Sequence, residues 1–561
     1  MRRTFVTLWI AVFVLPIGCT VEGGQETDLG PSKVTDIGAP CTSATFGTCS
    51  GDEVCLRNET FPTGYCTLDC SVTACPTDAV CRLNRDVIPQ PLCYRSCAND
   101  NDCHRPGYLC SLDGVCLPEN VVSGGGVRPG TNDGGACVTP TRQPADETNR
   151  LFGPSVQVST INPGAVEAQV HIAIDPVARR IVTAFADIRL TGGGIGVATS
   201  DDDGATFNPH MVIPTAGTPF QNEIQTDPSV AINSRGTIFV LWLGFDYINS
   251  VAGNFRAVLA RSRDGGLTFS DLQQLSPLTE VPSGHELDKP WIAVSPVDDS
   301  VYIVWNRSDP SIFSSDIRMI RSTDGGDTWS APITVNDTGR IELFRDFPRV
   351  LVADDGRPYA VWTELGGDRY GSNANRVYLQ RFGTNGSKIG ENVRVTSIPA
   401  SPAYADATVA AQGNNVYVGF LSGTPHGDWD VQVAASLDGA ITFLPPVKAN
   451  DDITCATHYV HQIVVDSRGN VHAVWLDNRY HPEGNVFHAM SPPAAQGDPL
   501  SFGQNTFVNS VPFPFRTNRN LTSWVGDYLG LITQGNQIYA VWADPHIDST
   551  SHIFFAKGTL P

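Results

Sequence analysis

The sequence predicts an all-β chain: seven four-stranded units closing on themselves, preceded by a small disulfide-rich module. Three observations predict it. A short pattern, S-x-D-x-G-x-T-[FW], begins at Ser200, Ser262, Ser322 and Ser436, with Ala440 in place of the Gly in the last copy. The intervals are 62, 60 and 114 residues, the last being two periods of about 57, and a fixed period means stacked supersecondary units. An apolar alternation ending in an aromatic residue recurs seven times along the same stretch. Finally, 12 of the 15 cysteines crowd between Cys41 and Cys116, ahead of the first repeat.

Each element can be justified in order. The seven alternations cover residues 170–189, 227–242, 289–305, 347–362, 406–420, 461–475 and 527–542. Each is two runs of β-branched and aromatic residues around a Gly, Asn or Asp turn, which is a hairpin. A third strand follows, such as 256–261 or 317–321, then the short pattern, then a fourth strand such as 329–335. The fourth unit keeps only a decayed pattern near 381–387, and the sixth only 491–502. The seventh ends after its third strand, at Phe554–Lys557. Its missing strand is predicted at the front, in 151–159, because an N-terminal strand can complete the last unit and remove an open edge.

The short pattern resembles the Asp box, or BNR repeat, of sialidase-like β-propellers; the resemblance implies a β-propeller, and the seven hairpins make it seven-bladed over 151–561, where the best-known sialidases have six blades. In the pattern itself the chemistry is that of a turn. Asp202, Asp264, Asp324 and Asp438 can accept bonds from their own backbone, and the Gly can take a positive φ. The resemblance places these turns on the face away from any active site.

The N-terminus reads as an export signal. Arg2 and Arg3 precede an apolar run from Phe5 to Ile17, too short for a comfortable membrane span. The sequence Leu15-Pro16-Ile17-Gly18-Cys19 resembles a bacterial lipobox, with Pro16 departing from the usual residue. It implies a signal peptide over 1–18, lipidation of Cys19 and a tether over 19–40, with an ordinary signal peptide and secretion as the alternative. Residues 41–118 hold the cysteine cluster, whose spacing lacks paired zinc knuckles and fits disulfides. The connectivity is open. The layout resembles cysteine-rich, EGF-like modules of bacterial surface lipoproteins. Residues 119–150, rich in Gly and Pro, read as a linker. Cys137 and Cys455 remain, and because an exported chain rarely keeps two free thiols, they are expected to pair.

A net charge of −21 excludes nucleic acid as a natural partner, since no basic stripe offsets it. A cofactor is not expected; no metal ligands are assigned, because no two show a diagnostic spacing, and a metal site of Asp and His on the loop face stays open. The partners expected are a glycan or a surface protein, with membrane attachment only through lipid.

Loops entering strand one and joining strands two and three emerge at one end of such a ring, and propellers gather ligands there. These loops are polar. The ligand-binding candidates are Arg189, Asp227, Asp288, Arg349, Asp477, Arg479 and Asp527. The resemblance implies three arginines clamping a carboxylate, a Tyr activated by Glu as nucleophile, and an Asp as acid. The first arginine has no counterpart: Val170-His171-Ile172-Ala173 stands in its place. Arg189 follows Asp187 in a stretch similar to one in sialidases, and Arg349 lies in a similar segment of the fourth unit. Asp187, Tyr480, Tyr528 and Glu286 are the catalytic candidates. Three readings stay open: a surface protein binding glycan or a protein partner, an exo-acting glycoside hydrolase with an altered clamp, and an adhesive protein acting through the cysteine-rich module.

Overall fold

A computed structural model describes residues 151–160, 165–189, 193–248, 251–276, 285–309, 314–337, 344–365, 375–398, 406–423, 429–452, 454, 456–480, 483–495, 499–514, 523–548 and 550–560, with six short strands between Val54 and Pro118. The expectations for 1–18, Cys19, 19–40, 119–150, Cys137 and Cys455 fall outside the described residues. The six short strands form three antiparallel hairpins, whose registers set Cys55 opposite Cys66, Cys81 opposite Cys93 and Cys110 opposite Cys116. No helix among the described residues is long and apolar enough to cross a membrane.

The ring is a seven-bladed β-propeller. Six blades run in sequence order, over 165–212, 224–274, 286–334, 344–398, 407–448 and 458–507. In the seventh the order is Gly530–Gln534, Gln537–Asp544, His552–Thr559 and then Val156–Gln157. The N-terminal strand therefore closes the ring, as the truncated last unit predicted. Phe152 bridges to Gly558, and Ser155 and Ser510 exchange backbone-to-hydroxyl bonds of 2.8 and 2.9 Å, which ties the closing segment to blades six and seven. The first strands touch one another from blade to blade all the way round, so they line the axis.

Packing between blades explains the recurring aromatic. Trp242, Trp305, Trp362, Trp475 and Trp542 lie within the second strands, and each is almost fully buried. A tryptophan truncated to alanine in such a place costs about 3–5 kcal/mol. The core is therefore a set of inter-blade layers rather than one centre.

The Asp boxes are built as turns. In the second, Ser262 donates to Asp264 at 2.8 Å, Gly266 N–H donates to Ser262 Oγ at 2.8 Å, and Thr268 donates to Asp264 through its amide at 2.9 Å and its hydroxyl at 2.5 Å. The boxes at Asp202, Asp324 and Asp438 repeat this. Gly204, Gly266 and Gly326 sit at φ between +84 and +90, and Ala440 takes φ +63 in the same role. Each turn also docks the preceding blade. Arg180 Nη1 reaches Gly265 O at 2.9 Å, Arg261 Nη1 reaches Gly325 O at 3.0 Å, and Lys557 pairs with Asp203 across the closing seam.

Candidate functional site

The inner strands carry a repeated irregularity. In blades one, two, three, four and six the pairing of strands one and two slips at the same level. The slipped residues, Gln169, Asp227, Lys289, Phe347 and Val460, all adopt positive φ. A bulge of this kind unpairs a residue and re-aims its side chain. Left-handed backbone at non-glycine residues costs energy and clusters at functional sites. In blade seven Gly526 takes φ +88, and a Cβ there would lie 2.6 Å from Gln169 N, so only glycine fits.

The bulges fill the axis with a polar plug. Lys289 Nζ lies 2.6 Å from Asp227 Oδ1 and 2.9 Å from Asp527 Oδ2. Gln169 Nε2 donates to Asp227 at 2.9 Å, and the Tyr528 hydroxyl donates to the same carboxylate at 2.5 Å. Tyr459 donates to Asp527 at 3.3 Å. Arg349 spans the neighbouring wall, donating to Asp406 at 2.8 Å and Gln462 at 2.9 Å while its guanidinium stacks 4.2 Å from the Trp291 ring. Asp227, Lys289, Arg349, Asp406, Asp527 and Tyr528 are all buried. Burial, reinforced by Asp227 and Asp527, pushes the Tyr528 phenol well above its ordinary range. The His171 ring lies 4.4 Å from that of Trp291, tilted by 54°, and burial together with Arg349 holds it down to about 3, so it is a neutral imidazole.

The structure thus brings Asp227, Asp288, Arg349, Asp527 and Tyr528 together from four blades. It does not bring the other candidates there. Asp477 and Arg479 form a separate buried network with His458 and Asp452. Arg479 Nη2 lies 2.7 Å from Asp477, and His458 Nε2 lies 3.0 Å from Asp452 and 3.2 Å from Asp477. Asp452, His458 and Asp477 are close enough to suit a metal ion. Their chemistry fits an ion-pair network better. Burial opposes the His458 charge, yet Asp477 and Asp452 outweigh it and push the group up to about 10, and a protonated imidazole is no ligand. Tyr480 packs on Phe487 and Phe507 in blade six. Asp187 is buried where blades seven and one meet, 3.5 Å from His210 Nε2, beside Glu167, which pairs with His552 at 3.1 Å. The Arg189 side chain lies outside the described residues. Arg349 pairs with Asp406 and Arg479 with Asp451 and Asp477, so each is held by carboxylates of its own surroundings.

Above the plug, blade three carries a different arrangement. Glu286 and Asp288 flank the buried Leu287 on the first strand, so both face blade four. Both remain partly open to solvent. Glu286 has the Ser308 hydroxyl at 3.5 Å, and its other oxygen, Oε1, is buried with no partner. Burial raises Glu286 to about 7. Burial also raises Asp288, with Asp227 and Asp346 adding to the effect and Lys289 opposing it.

Sequence reasoning missed Lys289, Gln169 and the bulges. A signal was present: Asp227-Pro228, Lys289-Pro290 and Phe347-Pro348 lie inside three inner strands. Proline inside a central strand marks a bulge, because it cannot donate to the ladder.

No protein-family model matches the chain, and no curated protein matches it. Solved structures similar to it include a protein of unknown function from Dyadobacter fermentans, 14% identical, covering 73% of this chain and 99% of that one at a TM-score of 0.41. The NanB sialidase of Streptococcus pneumoniae is 10% identical over 73% of this chain and 71% of its own, at 0.39. An alpha-L-arabinofuranosidase of Fusarium graminearum is 12% identical over 73% and 98%, at 0.42. The chain is a seven-bladed β-propeller whose blades carry Asp-box turns.

Proposed function

We propose that the chain is an exported, lipid-anchored surface protein whose propeller binds a neutral glycan at the axial end carrying the polar inner-strand residues. The single observation that carries the charge of the ligand is that Arg256, Arg345 and Arg349 are each already paired with a carboxylate. A carboxylate clamp needs guanidinium charge that is not already neutralised by a neighbouring carboxylate. Arg349 is engaged by Asp406 and Gln462, Arg256 by Glu223, and Arg345 by Glu364 at 3.4 Å. What remains for a ligand are carboxyl, amide and hydroxyl groups beside aromatic rings, which suit sugar hydroxyls and apolar sugar faces. The excess of carboxylate over cation in the plug also repels an anionic sugar.

The test is a glycan array probed with the purified full chain, alongside a sialoside hydrolysis assay. Binding to neutral oligosaccharides with no sialoside turnover is expected. Preferential capture of sialylated glycans would overturn the charge argument. Anchoring has its own test: Cys19→Ala should move the protein from the membrane to the soluble fraction, and unchanged membrane fractionation would refute lipidation. Non-reducing mass mapping should recover a Cys137–Cys455 peptide, and two alkylatable thiols would refute that pair.

A further inference from the structure

The carboxyls on the inner strand of blade three suit a chemical step. Residues i and i+2 of a strand share a face and lie about 6.6 Å apart along it. Glu286 and Asp288 stand in that relation on either side of Leu287, whose side chain is buried toward blade two. Among the described residues Glu286 meets no cation, unlike every carboxylate of the plug. The face they share also holds Asn306, directly opposite Asp288 in register. Asn306 is 1% exposed, and its amide nitrogen is spent on Asp346 and the Arg345 carbonyl. Its Oδ1 is buried with no partner. Two acceptors on this face, Glu286 Oε1 and Asn306 Oδ1, thus lack donors, and a buried acceptor without a donor costs stability unless a bound molecule supplies one.

We propose that Glu286 and Asp288 are the base and acid of an inverting hydrolysis of a neutral glycoside bound between blades three and four. The inference rests on the glycan-binding reading and adds a reaction to it. Inverting carboxyls stand about 6.5–9.5 Å apart, leaving room for a water between base and sugar, whereas a covalent route needs about 5–5.5 Å; the backbone positions of Glu286 and Asp288, about 6.6 Å apart along the strand, suit the wider spacing. Glu286 takes a proton from the water as its oxygen bonds to the anomeric carbon. Asp288 gives its proton to the departing glycosidic oxygen as the carbon–oxygen bond breaks. One water is consumed, the anomeric configuration inverts, and exchange with solvent resets both carboxyls. The environments divide the roles. Asp288, crowded by Asp227 and Asp346, keeps its proton, and Glu286, near 7, is ionised in part at neutral pH. This route uses no tyrosine nucleophile, in keeping with a Tyr528 hydroxyl already bound to Asp227.

The experiment uses the full chain with a panel of neutral aryl glycosides and the oligosaccharides it binds, following products by NMR. Turnover with inversion is expected, with kcat/KM rising with pH through about 7 and falling as Asp288 ionises. Glu286→Gln and Asp288→Asn should each lower kcat by about 100-fold or more while leaving ligand binding within a few-fold. Melting curves of both variants report whether they fold. Bound glycan with no cleavage between pH 4 and 9 overturns the acid–base assignment and leaves the binding reading standing. So do retention of configuration or undiminished turnover by folded variants. No glycan bound and no glycoside cleaved overturns both.

Discussion

Replacing Lys289 with methionine tests the polar plug most directly. The ammonium bridges blades two, three and seven through Asp227 at 2.6 Å and Asp527 at 2.9 Å, and all three side chains are at most 4% exposed. Methionine keeps the length of the stem and removes the charge. Two buried carboxylates then face each other across the axis. Breaking a buried pair by removing one partner costs about 3–5 kcal/mol. The remaining donors, Gln169 and Tyr528 on Asp227 and Tyr459 on Asp527, place the change near the lower end. With an unfolding entropy of about 2.1 cal/mol/K per residue over roughly 400 residues, the Tm should fall by about 4 °C. Urea denaturation at pH 7 gives the free energy, and Lys289→Met combined with Asp527→Asn should recover part of the loss, because one uncompensated charge is removed. A loss below about 1 kcal/mol, or a double variant less stable than the single one, would refute the idea that Lys289 holds the ring's centre together.

Four further outcomes are expected. Deleting residues 151–160 should abolish cooperative unfolding, since blade seven loses its fourth strand and exposes an edge; an unchanged transition would refute the closure. Thr206, Thr268 and Thr328 hydrogen bonds hold Asp202, Asp264 and Asp324 down to about 2, so this stabilisation is present above the ordinary carboxylate range and is lost as pH falls from about 4 to 2; Asp264→Asn should flatten that part of the stability–pH curve. Glu286 has the opposite sign: its folded pKa is raised, so its burial costs stability as pH rises from 4.5 to about 7, and Glu286→Gln should gain at most about 3 kcal/mol at pH 8 and almost nothing at pH 4. Gly204→Ala should destabilise far more than Gly325→Ala, because both sit at positive φ but only at Gly204 would the new Cβ meet a buried ring, that of Phe555 at 2.2 Å; equal Tm losses would contradict this packing.

The sequence by itself determined the architecture. Four Asp boxes and seven hairpins at one period set the blade count, because turn chemistry and strand alternation are local properties that neighbouring residues encode. The missing fourth strand of blade seven was legible in the same way, as a gap at one end matched by an orphan strand at the other. Only the tertiary structure decided the site. Asp227, Lys289, Arg349, Asp406, Tyr459 and Tyr528 come from six different blades and meet only when the ring closes, so no spacing along the chain records their pairing. Asp477 and Arg479 looked like ligand contacts at a rim, yet folding turns them inward onto Asp452 and His458, where mutual neutralisation is the way to bury their charge. Whether a carboxylate is spent on an ion pair, as in Asp227, or left with an open oxygen, as in Glu286, depends on what the adjoining strands bring within hydrogen-bond reach. That is a property of packing between blades, and it separates the residues that hold the ring from those available to a ligand.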